Sequence, residues 1–248
     1  MNRKPLFAAN WKMHKTPPQA AEYVSLFWGA AEALVPRADI VLCAPFVDLE
    51  TLRLELAPSS VKIGAQDCYY EKEGAFTGEV SVPMLAALGV AYCIVGHSER
   101  RRLFAETDEA VARKTAALLA GQITPIVCVG ESLEEKQQDL TVQRVSSQVR
   151  AALGDLKAEE RAKIVIAYEP IWAIGSGLAD DPASANATIA MIRATLEGLQ
   201  SARILYGGSM NVSNCAAFCA QQEIDGGLVG SASLDARTFV QLIKSTLA

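Results

Sequence analysis

Eight short apolar segments, separated by stretches with helical periodicity, constrain the fold of this 248-residue chain more than any other feature. Each segment is continuously apolar rather than alternating, which is typical of strands buried on both faces of a parallel sheet. We predict strands over Leu6–Asn10, Asp39–Cys43, Val61–Ala65, Ala91–Val95, Ile123–Val129, Ile164–Tyr168, Arg203–Tyr206 and Gly226–Val229. Repeats without a composition break indicate one α/β domain over residues 1–248, a single closed (β/α)8 barrel of parallel strands surrounded by helices. An open doubly wound sheet is the alternative, but no edge strand and no glycine-rich turn after the first strand are evident.

The composition and charge argue against several classes of partner. The formal net charge is −5 and the isoelectric point is near 5.2, whereas nucleic acid and anionic membrane surfaces attract basic faces. No apolar run approaches the roughly 20 residues that a membrane span needs. The basic segment Met1–Pro5 precedes only a short apolar run, which predicts a first strand rather than a signal peptide.

The cysteines and histidines bear on compartment and metal binding. The six cysteines form no C-x-x-C pair, so we expect buried free thiols in a reducing cytoplasm. Cys128 lies next to the end of the fifth predicted strand and is the thiol expected nearest to a site at the strand ends. With only His14 and His97 in the chain, a zinc site is not expected, and we predict no metal and no cofactor.

Three helix starts are marked by capping residues. Thr16-Pro17 places a cap before a proline in the first turn, and Asp181-Pro182 repeats that pattern. Thr107, followed by two acidic residues, predicts a third helix start.

Polar residues follow five of the predicted strands, and in a barrel the chemistry lies at the carboxyl ends of the strands. These residues are Asn10-Trp11-Lys12, His97-Ser98-Glu99-Arg100, Glu169, Gly207-Gly208-Ser209 and Gly230-Ser231. Each has an ordinary structural explanation by itself, Lys12 as a solvated lysine and His97 as a helix cap. Their convergence from five strand ends favours a catalytic site.

Glu169 stands at the end of a buried run, directly before Pro170. The following residues 171–177 contain two glycines and no charge, so they form a segment long enough to swing and apolar enough to exclude water. A base next to such a segment suits proton abstraction from a small polar substrate. A strand capped by glutamate and followed by an ordinary loop explains the stretch equally well.

Glycine-rich segments follow the seventh and eighth predicted strands. Gly207-Gly208-Ser209 and Gly230-Ser231 let backbone N–H groups approach an anion closely, and barrels commonly bind phosphate there. The alternative is that the glycines serve only tight turns. No G-K-[ST] motif is present, and Gly175-Ser176-Gly177 lacks the third glycine of a dinucleotide fingerprint.

The chain resembles the triosephosphate isomerase family from end to end. Eight ordered segments carry the resemblance: Asn10-Trp11-Lys12-Met13, Gly64-Ala65-Gln66-Asp67, Gly74-Ala75-Phe76-Thr77-Gly78-Glu79, Val95-Gly96-His97-Ser98-Glu99-Arg100-Arg101, Cys128-Val129-Gly130-Glu131, residues 167–177, Tyr206-Gly207-Gly208-Ser209 and Leu228-Val229-Gly230. The resemblance implies a cofactor-independent interconversion of dihydroxyacetone phosphate and D-glyceraldehyde 3-phosphate through an enediolate. It implies a cytoplasmic enzyme of glycolysis and gluconeogenesis, with triose phosphates as its small-molecule partners.

Four catalytic residues are implied by the resemblance. Glu169 matches the base that moves a proton between the two carbons of the enediolate, and His97 matches the electrophile that polarises the carbonyl group. Lys12 matches the positive charge near the developing oxyanion, and Glu99 is expected to contact Lys12. The family also implies a neutral His97, whose pKa a helix N-terminus lowers. The residues assigned to substrate binding are Asn10, Lys12, Gly175, Ser209, Gly230 and Ser231.

The segment from Gln66 to Gly78 is predicted as a long loop without a regular element. Long loops in compact domains usually have a function, and the aromatic residues of this one argue against a solvated loop. The resemblance implies that the loop inserts into a second subunit, so we predict a homodimer with Thr77, Phe76 and His14 at the interface. A loop folded over its own barrel is the alternative.

Three positions depart from the sequence pattern of the family. Ser231 replaces a glycine, Ser176 replaces a threonine, and Asp180 stands at the second hinge of the 171–177 segment. If the position of Ser231 requires φ > 0, serine is strained there. If it does not, the serine hydroxyl is free to contact phosphate.

Two other functions remain open. One is a phosphosugar lyase or aldolase with Lys12 as a Schiff-base nucleophile, and the other is a phosphate-ester-binding barrel without catalysis.

Overall fold

The eight strands of the computed structural model form a closed parallel barrel in chain order, with the first strand next to the eighth. The structure describes residues 3–174 and 180–247. The strands are β1 (Leu6–Asn10), β2 (Asp39–Ala44), β3 (Lys62–Ala65), β4 (Tyr92–Val95), β5 (Thr124–Val129), β6 (Val165–Tyr168), β7 (Arg203–Tyr206) and β8 (Gly226–Val229). Each boundary lies within one residue of the predicted one, and the predicted (β/α)8 fold is confirmed.

Helices follow the strands and surround the barrel. Those in the described part of the chain are α1 (Pro17–Glu32), α2 (Leu49–Glu55), α3 (Val82–Ala87), α4 (Ser98–Leu103), α5 (Asp108–Ala120), α6 (Leu133–Gln137), α7 (Thr141–Leu153), α8 (Ala158–Arg161), α9 (Pro182–Ala194), α10 (Cys215–Cys219) and α11 (Ala236–Thr246). The three predicted starts are confirmed, because Thr16, Thr107 and Asp181 are the N-caps of α1, α5 and α9. None of the described helices is long and apolar enough to cross a membrane.

Two apolar layers hold the barrel together. Alternate residues of each strand, such as Ala8, Ile94 and Cys128, fill the barrel interior, and the others pack against the helices. All six cysteines are free, and all but Cys219 are buried. Burial raises the pKa of the Cys128 thiol well above its ordinary value, so this thiol remains protonated inside the barrel.

Ion pairs close the end of the barrel at which the strands begin, the amino end. Arg203, at the start of β7, bonds to the carboxylate of Asp39 and to the hydroxyl of Tyr92. On the adjoining side, Asp225 accepts hydrogen bonds from Arg193 at 2.9 Å and from Arg3 at 2.6 Å. Each of these charges therefore meets an opposite charge.

Candidate active site

The carboxyl ends of the strands surround a cavity of about 410 Å³. Its lining includes these residues predicted from the sequence: Asn10, Lys12, His14, His97, Glu169, Ser209, Gly230 and Ser231. Glu99 lines an adjoining cavity of about 230 Å³, together with Asn10, Lys12 and His97. Phe76 and Thr77 lie in the 66–78 loop and line neither cavity, and Gly175 and Ser176 lie outside the described residues.

Lys12 occupies a left-handed backbone conformation with a φ of +54°. This conformation costs a residue with a Cβ about 1–2 kcal/mol, so the surrounding bonds must hold it. The backbone N–H of Lys12 donates to Asn10 Oδ1 at 3.1 Å, and its carbonyl accepts from Gln66 Nε2 at 2.9 Å. The expected contact with Glu99 is present, since the ammonium lies 2.6 Å from Glu99 Oε1.

His97 follows β4 and Gly96, whose φ of +71° turns the chain toward the cavity. The backbone N–H of Glu99 donates to Nδ1 of His97 at 3.2 Å, which leaves the ring proton on Nε2. Burial lowers the pKa of His97, but the adjacent Glu169 carboxylate outweighs it, and the pKa lies above its ordinary value. The expected lowering is therefore wrong for this arrangement, because Glu169 Oε1 lies 3.0 Å from Nε2.

Glu169 is almost fully buried at the end of β6. Its Oε2 accepts the backbone N–H of Ser98 at 2.9 Å. Burial alone would raise the pKa of Glu169, but His97 and the Ser98 N–H stabilise the anion and the pKa lies below its ordinary value. The carboxylate is therefore ionised at neutral pH and able to accept a proton.

Gly130, directly after β5, packs against the backbone of Glu169. A Cβ atom at this position would lie 1.8 Å from the carbonyl oxygen of Glu169. The N–H of Gly130 donates to Gln148 Oε1 at 2.8 Å, so α7 fixes the same turn. Only glycine lets the ends of β5 and β6 approach this closely.

The chain on either side of residues 175–179 is held by buried hydrogen bonds that sequence reasoning missed. Glu131 Oε1 accepts from the hydroxyl of Tyr168 and from Nε1 of Trp172, both at 3.0 Å. The backbone N–H of Asp180 donates to the hydroxyl of Tyr206 at 3.1 Å. Glu131 belongs to a motif quoted for the resemblance, but the motif alone does not reveal its partners.

The two glycine-rich segments line the same cavity, Gly207 next to the side chain of Glu169 and Gly230 next to that of Lys12. The segment after β8 is a 3₁₀ turn over Ser231–Ser233, and the hydroxyl of Ser233 donates to the carbonyls of Val229 and Gly230. Ser231 is not among the residues with positive φ, so serine is unstrained there. Within the described residues the hydroxyls of Ser209 and Ser231 make no hydrogen bond and are available to a ligand.

Comparisons with known proteins decide the family. The family model described as "Triosephosphate isomerase" matches residues 5–246. The chain is 46% identical over 247 residues to the triosephosphate isomerase of Endomicrobium trichonymphae, covering 98% of each chain. It is 48% identical over 242 residues to that of Synechococcus sp. strain JA-3-3Ab, covering 96% of this chain and 93% of the other. The chain belongs to the triosephosphate isomerase family. The expected enzyme class, an isomerase, is confirmed with it.

Three positions, Ser231, Ser176 and Asp180, were identified above as departures from the sequence pattern of the triosephosphate isomerase family. Ser231 fits without backbone strain, and Ser176 lies outside the described residues. Asp180 is buried, and its Oδ1 lies 3.4 Å from Nζ of Lys136. Among the described residues, no three His, Cys, Asp or Glu side chains are placed to hold a metal ion.

Proposed function

We propose that the chain interconverts dihydroxyacetone phosphate and D-glyceraldehyde 3-phosphate through an enediolate, without a cofactor, in glycolysis and gluconeogenesis. One observation carries this proposal. An ionised Glu169, a His97 with its proton on Nε2 and the Lys12 ammonium share one cavity with glycine-rich backbone and two serine hydroxyls. A small substrate that carries both a carbonyl group and a phosphate matches this set of groups.

Glu169 acts as the base in this proposal. In the described arrangement the carboxylate is held against Ser98 and His97, so a bound substrate competes for it. A proton next to a carbonyl is weakly acidic, and a positioned base typically contributes about 10²–10⁴-fold to its removal. The rest of the rate enhancement must come from stabilising the enediolate.

His97 and Lys12 provide that stabilisation. The Nε2–H of His97 donates a hydrogen bond to the substrate oxygens, and the Lys12 ammonium offsets their negative charge. Such fixed groups are more effective when water is excluded, which is the function we assign to the 171–177 segment. Gly175 is a proposed phosphate donor in that segment, with Ser209, Gly230 and Ser231 as the other donors.

The Schiff-base alternative is disfavoured by the pairing of Lys12. Its ammonium lies 2.6 Å from the Glu99 carboxylate, whereas a Schiff base requires a free neutral amine. Borohydride treatment in the presence of dihydroxyacetone phosphate should give no adduct at Lys12. A trapped adduct would favour the lyase or aldolase.

We propose that the working form is a homodimer in the cytoplasm. The adjoining cavity is bordered by the exposed side chains of Met13 and Phe46, and the 66–78 loop carries a partly exposed Phe76. Phe76 packs against Tyr69 with ring centroids 4.6 Å apart, so the loop presents an organised apolar surface. The proposed contact places Thr77 of one subunit near Asn10 and His97 of the other, with Phe76 and His14 also at the interface. Sedimentation that finds a fully active monomer at nanomolar concentration would contradict the dimer.

The isomerase activity is tested with glyceraldehyde 3-phosphate in an assay coupled to a dehydrogenase. The wild type should turn over rapidly, and Glu169→Asp should lose activity because the shorter side chain withdraws the carboxylate from the reacting carbon. Binding of phosphate esters without turnover by the wild type would instead favour the binding barrel. Gln138→Asn, an equally small shortening of an exposed side chain on the outer surface, serves as a control and should remain active.

A further inference from the structure

Lys15 is a second strained lysine in the β1–α1 loop. Its φ is +77°, in the left-handed region that disfavours any residue with a Cβ, and Lys12 three residues earlier is strained in the same way. Lys15 does not line the active-site cavity, and the catalytic proposal above gives it no role. The strain therefore indicates that contacts of the Lys15 side chain hold the loop.

The ammonium of Lys15 has three structural partners. It donates to the carbonyl oxygen of Leu234 at 2.8 Å. It also lies 5.2 Å from the ring centroid of Trp11 and 4.7 Å from that of Tyr23, within the range of cation–π attraction. Trp11 and Tyr23 pack edge to face, so the lysine rests on a rigid aromatic base.

The positive charge of Lys15 also acts on the buried carboxylate of Asp48. Asp48 is fully buried, and neither of its carboxylate oxygens has a hydrogen-bond partner among the described residues. Burial raises the pKa of Asp48, and the positive charge of Lys15 acts in the opposite direction. The charge of Lys15 thus favours the ionised form of Asp48, as it does that of the neighbouring Asp235.

Leu234 connects this lysine to the segment after β8. It follows the Ser231–Ser233 turn directly and lines the active-site cavity. Among the described residues, the bond from Lys15 is the only side-chain hydrogen bond between the β1–α1 loop and the segment 230–234. Lys12 is independently held by Asn10, Gln66 and Glu99, whereas the hydroxyl of Ser233 bonds only within its own segment.

We propose that Lys15 is a positioning residue that ties the loop carrying Lys12 to the turn after β8, and so fixes the phosphate-binding end of the cavity relative to Lys12. The inference rests on the proposed function, because it takes the Ser231–Ser233 turn as part of the phosphate site. Since Lys12 has its own restraints, loss of the Lys15 bond loosens the turn. The effect falls on phosphate binding, while Lys12 and Glu169 remain held by their own hydrogen bonds.

The test compares Lys15→Met with wild type on substrates with and without a phosphate group. The KM for glyceraldehyde 3-phosphate and the inhibition constant of inorganic phosphate should rise together, by about five- to tenfold, as expected for loss of one ordinary hydrogen bond. The kcat/KM for unphosphorylated glyceraldehyde should stay within about twofold of wild type, since its reaction does not use the turn. Lys62→Met, which removes an exposed lysine at the start of β3, is the matched control and should change neither quantity.

Two further variants separate the side chain from the backbone strain. Lys15→Arg keeps a cationic donor and should restore most of the phosphate inhibition. Lys15→Gly removes the side chain and also relieves the backbone strain. It should therefore weaken phosphate inhibition as much as Lys15→Met does, but melt at a higher temperature than Lys15→Met. The proposal would be overturned if Lys15→Met lowered kcat/KM equally for phosphorylated and unphosphorylated glyceraldehyde. It would also be overturned if Lys15→Met lowered the melting temperature and left phosphate inhibition unchanged. A wild type inactive on glyceraldehyde 3-phosphate would refute the proposed function, and the phosphate affinities measured by calorimetry would still decide the role of Lys15.

Discussion

The two ends of the barrel differ in how completely their buried polar atoms are paired. At the amino end, Arg203 meets Asp39, and Arg193 meets Asp225, with each charged group paired. At the carboxyl end, buried polar atoms of Ser98, Glu131 and Asp180 have no hydrogen-bond partner among the described residues. The left-handed Lys12 lies at that end as well.

The difference separates what holds the fold from what performs the reaction. A site that must bind a polar substrate keeps donors and acceptors uncommitted, and this costs stability. The paired amino end carries no such requirement. Substitutions at the carboxyl end should therefore reduce activity more than stability, and substitutions at the amino end should do the opposite.

The largest expected effect is on activity, at the carboxyl end. Lys12→Met removes the positive charge from the cavity, and kcat/KM should fall about 10²–10³-fold, as for loss of a preorganised electrostatic group. The free energy of unfolding should change by less than about 1 kcal/mol. Coupled assays and urea titrations measure the two quantities. Lys163→Met, an exposed change at the opposite end, serves as the control, and a Lys12 variant that unfolds readily yet stays active would break the comparison.

The largest expected effect on stability is at the amino end. Arg193→Met removes one of the two arginines that bond to the buried Asp225, and it also leaves the carbonyls of Leu199 and Ala202 without the arginine's hydrogen bonds. Together these losses should lower the free energy of unfolding by about 3–5 kcal/mol. Activity per folded molecule should remain at the wild-type value. Combining it with Asp225→Asn removes the carboxylate that has lost one of its two arginines, and should recover part of the loss in a urea titration. A severe loss of activity in the folded Arg193→Met protein would contradict the separation of the two ends.

A smaller effect concerns pH. Burial raises the pKa of Asp39, but Lys4 and Arg203 outweigh it, so the folded-state pKa lies below the ordinary value. The stabilisation is therefore fully present above the unfolded pKa of about 3.9 and is lost as the pH falls below it. Wild type should exceed Asp39→Asn in free energy of unfolding by about 1 kcal/mol or less at pH 7. Tryptophan-monitored unfolding should show that gap closing between about pH 4 and pH 2, and a gap that persists at the lower pH would contradict the assignment.

The smallest expected effect is on the free energy of unfolding, at a strained backbone position that lies away from the active site. Gln122 has a φ of +60°, just before β5 at the amino end, and its side chain is exposed. Gln122→Gly should raise the free energy of unfolding by about 0.5 kcal/mol, because glycine tolerates this conformation. Gln122→Ala retains the strain and should show no gain. Activity should be unaffected in both, in contrast to any change at the strained Lys12.

The sequence predicts the barrel well because its signals are local. A continuous apolar run such as that of β5 can be buried only between two layers, and the Thr16 and Asp181 caps mark helix starts directly. The carboxylate of Glu169, the ring of His97 and the ammonium of Lys12 were expected in one place for the same reason, since each follows a strand.

The remaining features depend on contacts between distant parts of the chain. Gln66 holds the carbonyl of Lys12 across 54 positions, and Lys15 reaches Leu234 across 219. The direction of the His97 pKa also depends on where the Glu169 side chain rests. No pattern of neighbouring residues specifies these partners, so the structure was needed to find them.

The contact at Gly130 bears on how the sequence of this protein can vary. Any side chain at that position, even the methyl group of alanine, would collide with the carbonyl of the proposed base. If position 130 is randomised and the variants are selected in cells whose growth requires the isomerase activity, only glycine should be recovered. This holds although the residue contributes no functional group. The position is constrained by the space that another residue occupies, and a search restricted to chemically reactive side chains would overlook it.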